Sequence, residues 1–334
     1  MRSHQGRYEG KKLVHVMGEL WRDEEIEPAA SSVRVRGDRV PTGLRYITDA
    51  PGNTLTSEEL DNEDVMRWIW FRPEVVPALI KCRGGGLRWY TNETGGVACS
   101  PGEFTHFGLN RLGLVTAYAY DIAKLPLWQQ RIWSGYNSAP EGGVSKELLS
   151  SHVRAEVADT SAPEADLPKI LAALDELFQR AISSPLFRHH ASTDYLVSSI
   201  NRFRALEPNG LFSLAKDLMR IVADRIDTAM LQKLVPPPKG EKWGSLKSLE
   251  KYLATICSSN SAHALLGPLF GAYDLRLADA HLPRYELAAA YELTQIDATS
   301  PPLQQGYDLI VAVAGSLVDV GRVMSGILPP EHHK

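Results

Sequence analysis

The sequence predicts an α+β protein in which a strand-bearing first half precedes an all-helical second half. Three observations carry that reading. Through about residue 100, short and partly alternating apolar runs are separated by Gly, Pro, Asn and Asp, the pattern of strands joined by turns. From residue 167 onward, apolar residues recur at helical spacing. The chain has 334 residues, enough for roughly two domains that bury their own cores without disulfide or metal staples.

In chain order, residues 13–20 (LVHVMGEL), 33–36 (VRVR), 44–47 (LRYI) and 87–91 (LRWYT) read as strands. The acidic run 57–64 (SEELDNED) reads as a solvated loop or helix start. Trp68, Trp70, Phe71, Trp89 and Tyr90 follow it. Two readings of these rings stand: an aromatic cluster of a half-buried sheet, or an exposed stacking platform for bases or a partner. Lys81, Arg83 and Arg88, flanking a Gly84–Gly86 turn, lean towards the platform. Ser100 and Glu103 have capping-box spacing, and the apolar run 104–125 behind them reads as a helix that Pro126 interrupts. Residues 127–136 read as another helical piece. Segment 155–166 is small, acidic and poorly periodic, so it reads as a linker.

The boundary is therefore expected at residues 165/166. Residues 1–165 form an α+β recognition or sensor region, and residues 166–330 an all-α bundle. Residues 167–182 place Ile170, Leu171, Leu174, Leu177 and Phe178 on one face. Residues 211–234 read as one helix, stopped by Pro236, Pro237 and Pro238. Helices are expected over 245–256, 262–282 and 302–328, with Pro283 ending the second.

The composition excludes several classes. Hydrophobic residues make up 44% and charged residues 23%, the proportions of an ordinary folded protein rather than a disordered or fibrous one. With 36 basic and 40 acidic side chains the net charge is −4, so the chain is not a polycation that coats nucleic acid, although a local basic groove is compatible with it. Three cysteines without a CxxC pair suit a reducing compartment. Residues 1–12 are polar and basic and read as no signal peptide; the apolar stretch 309–318 is about half of the ~20 residues a membrane span needs. A cytoplasmic protein without membrane contact is expected.

No GxxxxGK[ST], GxGxxG after a strand, HExxH or GxSxG occurs, which argues against a P-loop NTPase, a Rossmann oxidoreductase, a zincin and an α/β-hydrolase. No metal-ligand spacing and no cofactor motif is present. Cys99 and His106 read as structural, and His189–His190 as a surface pair. The segment that carries chemistry is 273–282 (YDLRLADAHL), where Arg276 and His281 stand five positions apart at a helix end. Five steps of about 100° place them about 140° apart around an ideal helix, so the last turn must loosen or a groove must wrap the helix end. The unremarkable reading of these residues is an i,i+3 pair of Arg276 with Asp279 and a capping role for His281.

The Arg-x4-His arrangement, the helix before it, the entry at 244–250 and the long helix after it resemble the HEPN superfamily, found in ribonucleases and toxin-like defence proteins. The resemblance covers residues 167–328. It implies a metal-independent endoribonuclease or RNA-binding effector of abortive-infection antiviral defence, with products ending in a 2′,3′-cyclic phosphate. Arg276 would grip the phosphate, His281 would be the general acid or base, and Asp274 and Asp279 would support them. It also implies a composite site between two protomers, hence a homodimer through the C-terminal bundle, with RNA as partner and a phage or host protein as trigger. Lys239, Lys242, Lys247 and Lys251, near the bundle entry, would line an RNA path or form a solvated face. The chain departs from the family in one place: Leu277 stands where active members often carry a polar residue. The alternative is a non-catalytic dimeric interaction protein whose N-terminal aromatic region binds a protein partner.

Overall fold

In the computed structural model, the described residues are 2–8, 11–17, 43–61, 67–156, 158–190, 193–278 and 284–327. Strands dominate the start and helices the end, as expected. A hairpin pairs β1 (Arg2–Tyr8) with β2 (Lys11–Met17), and a second, small one pairs β3 (Arg45–Ile47) with β4 (Thr54–Thr56). The main sheet takes in β5 (Trp68–Phe71), β6 (Gly86–Trp89), β7 (Thr94–Ala98), β8 (Thr105–Leu109), β9 (Val115–Tyr118) and β10 (Asn137–Ser138). These six run antiparallel in the order β10-β5-β9-β8-β7-β6. The strand expected at 33–36 lies outside the described residues.

Several expectations are corrected. Residues 104–125 are not one helix: they form β8, a turn at Asn110–Gly113, β9 and then the short helix Ala119–Lys124. The apolar run hid the strands because both faces of the sheet are covered, so alternation is lost; β7 and β9 are buried at every position. Phe107 and Gly108 point to opposite faces. Phe107 meets Phe203 and Trp89, while a methyl group on Gly108 would lie 2.8–2.9 Å from Leu148 and Ser145, so helix Lys146–Arg154 seats directly on the backbone there. The acidic run begins a helix, Ser57–Leu60, held by a capping box between Thr56 and Glu59.

The helix expected over 211–234 is interrupted. Gly210–Ile221 ends at Val222, whose backbone (φ −108°, ψ −82°) leaves the helical region, and Thr228–Leu234 restarts behind an Asp227 cap. Helices Pro163–Ile182, Ser245–Leu253, Ser259–Ala278 and Pro302–Ser325 stand close to their expected places, and Arg284–Thr294 is an additional one. Helix Ser259–Ala278 is central: Leu266, Leu269, Ala272 and Leu275 are fully buried, and it packs on Gly210–Ile221, Arg284–Thr294 and Pro302–Ser325.

The two halves share packing. Helix Pro163–Ile182 begins just before the expected boundary, which therefore falls in its first turn. Phe203 and Leu303 from the helical half belong to the apolar core under the sheet. Trp89 stacks on Phe203 at 5.9 Å with planes 10° apart. No described helix is long and apolar enough to cross a membrane.

Candidate functional site

Arg276 lies in the last turn of helix Ser259–Ala278, anchored by fully buried Leu275 beside it. Its Nη1 donates to both carboxylate oxygens of Asp224, at 2.8 and 2.9 Å, and its guanidinium lies 5.4 Å from the Tyr273 ring centre. The pair sits at the surface, with the Arg276 and Asp224 side chains 25% and 43% exposed. Asp224 belongs to the short 3-10 turn Ala223–Arg225 that breaks the helix at Val222. The break is thus what turns a carboxylate towards Arg276. Asp274 is half-buried two residues earlier. His281 and Asp279, the other two expected site residues, lie outside the described residues.

Segment 186–188 completes this end of the bundle. Phe187 and Ile226 form an antiparallel bridge, Arg188 N donates to Arg225 O at 2.7 Å, and Asp227 N donates to Leu186 O at 2.8 Å. Arg188 Nη2 donates to the Asp224 main-chain oxygen at 2.7 Å. Arg225 is half-buried: Nε donates to Arg188 O and the guanidinium lies over Phe187. Burial lowers its pKa, opposed by the charges of Asp175 and Asp194. Burial raises the Asp175 carboxyl, against the Phe187 N–H bond, the Arg225 charge and the Leu186 N–H bond. Asp224 and Arg188 were missed by sequence reasoning because they stand 52 and 88 positions from Arg276; a position in an apparent helix and a surface loop gave no local signal.

The four expected RNA-path lysines do not share one environment. Lys239 and Lys242 are exposed in the loop behind the three prolines. Lys247 is paired with buried Glu250 at 2.6 Å. Burial pushes the Glu250 carboxyl up, but hydrogen bonds from Lys247 and His263 outweigh it and hold it below the ordinary value. Lys251 lies 5.9 Å from the Trp243 ring centre.

The first-half aromatics are largely drawn into packing. Phe71 is fully buried, Trp70 Nε1 donates to Gly143 O, and Trp89 faces Phe203 and Phe107; Tyr90 keeps half of its surface exposed. Lys81 pairs with Glu207 and Arg88 lies over Phe104. Cys99 is buried, and burial pushes its thiol up to about 12, which makes it a poor nucleophile. A separate cleft of about 620 Å³ opens between sheet and last helix, bordered by Asn92, Arg111, Arg202 and Tyr307 and remote from Arg276 in its lining. Among the described residues no three His, Cys, Asp or Glu side chains gather as a metal-ligand set. No family model, curated protein or solved structure matches the chain.

Proposed function

We propose that this protein is a HEPN-like metal-independent endoribonuclease or RNA-binding effector of antiviral defence, working as a homodimer with a sensor region over residues 1–165. The observation that supports it is Arg276: a guanidinium at the surface end of the central helix, steadied by one nitrogen on Asp224, while Nε and Nη2 make no hydrogen bond to a described residue. A fork held in this way is suited to a phosphate, whose charge grows in the transition state.

In this reading the RNA 2′-hydroxyl attacks the adjacent phosphorus. The O2′–P bond forms as the P–O5′ bond breaks. One His281 takes the 2′ proton, and the partner's copy of that motif gives a proton to the departing 5′ oxygen. The products are a 2′,3′-cyclic phosphate and a 5′-hydroxyl. Asp274 and Asp279 support the motif, and Lys239 and Lys242 extend the path for the RNA backbone. The trigger is a phage or host protein acting through the first half.

The test uses single-stranded RNA, the same sequence as DNA, and its 2′-O-methyl form. Cleavage of RNA alone, leaving cyclic phosphate ends, is the expected result. Cleavage of all three, or ends lacking the cyclic phosphate, overturns the mechanism. Light scattering at micromolar concentration should give a dimer; a strict monomer removes the composite site.

A further inference from the structure

We infer that Arg188 is a second phosphate-binding residue, placed beside Arg276 by Asp224. The inference rests on the ribonuclease reading and extends its site to a side chain that the motif does not contain.

The geometry is set by one residue. Asp224 receives Arg188 Nη2 on its main-chain oxygen at 2.7 Å and Arg276 Nη1 on its carboxylate at 2.8 and 2.9 Å. Two guanidinium groups therefore flank the same residue, one from the loop behind helix Pro163–Ile182 and one from the end of helix Ser259–Ala278. The Arg188 backbone is fixed by its bond to Arg225 O and by the neighbouring Phe187–Ile226 bridge, so the side chain starts from a rigid base.

The two arginines differ in electrostatics. Arg276 shares its charge with the Asp224 carboxylate, which it holds through Nη1 alone. Arg188 is exposed, and its guanidinium bonds a neutral main-chain carbonyl rather than a carboxylate. Arg225, the third arginine here, is half-buried, bonds Arg188 O and feels the charges of Asp175 and Asp194. An approaching polyanion therefore meets Arg188 first, and the adjoining phosphate is delivered to Arg276. Arg276 can accept it while keeping Asp224 on one nitrogen, since a guanidinium has five N–H donors. A fork-shaped cation suits a backbone phosphate better than a lysine does.

The experiment measures binding of the full chain to a fluorescent single-stranded 2′-O-methyl RNA, which the proposed reaction leaves intact, over a series of salt concentrations. Arg188→Gln should weaken binding about tenfold, the scale of a lost charge-assisted hydrogen bond. It should also reduce the slope of log K against log salt by about 0.7, the value of one phosphate contact on a single strand. Arg188→Lys, which keeps the charge, should keep the slope. A merely bracing arginine would alter thermal stability and leave the slope alone. Wild-type binding with an unchanged slope in Arg188→Gln overturns this inference and leaves the Arg276 reading standing. Failure of wild type to bind the probe or to cut unmodified RNA overturns the ribonuclease reading itself, and this inference with it.

Discussion

Arg202 and Glu164 meet as a nearly buried ion pair where the sheet joins the helices. Nε and Nη2 of the arginine each donate to a different carboxylate oxygen at 2.8 Å, and the side chains are 6% and 2% exposed. The guanidinium lies between the Trp89 and Tyr307 rings, 4.2 and 4.4 Å from their centres, and its Nη1 reaches Asn92 O across 110 positions of chain. One arginine thereby ties a sheet tryptophan, the first turn of helix Pro163–Ile182 and the last helix together.

Removing one partner would leave the other charge nearly buried and unpaired. Arg202→Met should destabilise the protein by about 3–5 kcal/mol, whereas changing both Arg202 and Glu164 to Met should recover much of that loss, since well-packed apolar side chains replace buried pairs at little cost. Urea unfolding of the three proteins checks this. Equal loss in the single and double variants contradicts it.

The sheet carries a pH-sensitive group. Burial, and then the charge of His152, lower the His106 pKa, and its Nε2 is buried with no hydrogen-bond partner among the described residues. The unfolded chain therefore takes up this proton first as pH falls below ~6.5. Stability from this residue drops across that window until the folded ring titrates as well, and it is constant above. His106→Gln should flatten the fall in urea midpoint between pH ~7.5 and ~5.5; an identical pH profile in the variant contradicts this source.

Cys99 should resist alkylation in the folded protein. Its thiol, pushed up to about 12 by burial, holds almost no thiolate at pH ~8. Peptide mapping after iodoacetamide treatment should find it unmodified until denaturant is added. Rapid native labelling would show that strand end β7 opens.

Much of the fold was legible, and the misreadings share a cause. Helix Pro163–Ile182 keeps one apolar face, with Leu167, Leu171, Leu174 and Phe178 buried, so periodicity located it. Residues 104–125 failed because β8 and β9 are covered on both sides, which removes the alternation that distinguishes a strand. The stretch 211–234 failed because its break at Val222 comes without a local Gly or Pro, beside a tertiary pairing of Ile226 with Phe187 that only the fold brings about. Arg276 could be singled out from its motif. Asp224 and Arg188 could not, because only folding brings them to it.

Leu277 offers a gain-of-function test. It is 43% exposed, so replacing it should alter stability by no more than about 0.5 kcal/mol. Leu277→Asn places a polar group directly after Arg276 and, on the ribonuclease reading, should raise the rate of RNA cleavage. Unchanged cleavage would mean that this position does not limit the reaction.

The most direct measurement is cleavage of single-stranded RNA by wild type, Arg276→Ala and His281→Ala, each first checked for an unchanged melting temperature. Loss of a general acid–base group or of its phosphate anchor usually costs ~10²-fold or more. Wild type should cleave the RNA, and each variant should lose at least that much activity. Wild type inactive on several RNAs, with both variants less stable, would contradict it: Arg276 would then hold Asp224 for structure alone, and the helical half would be a non-catalytic platform.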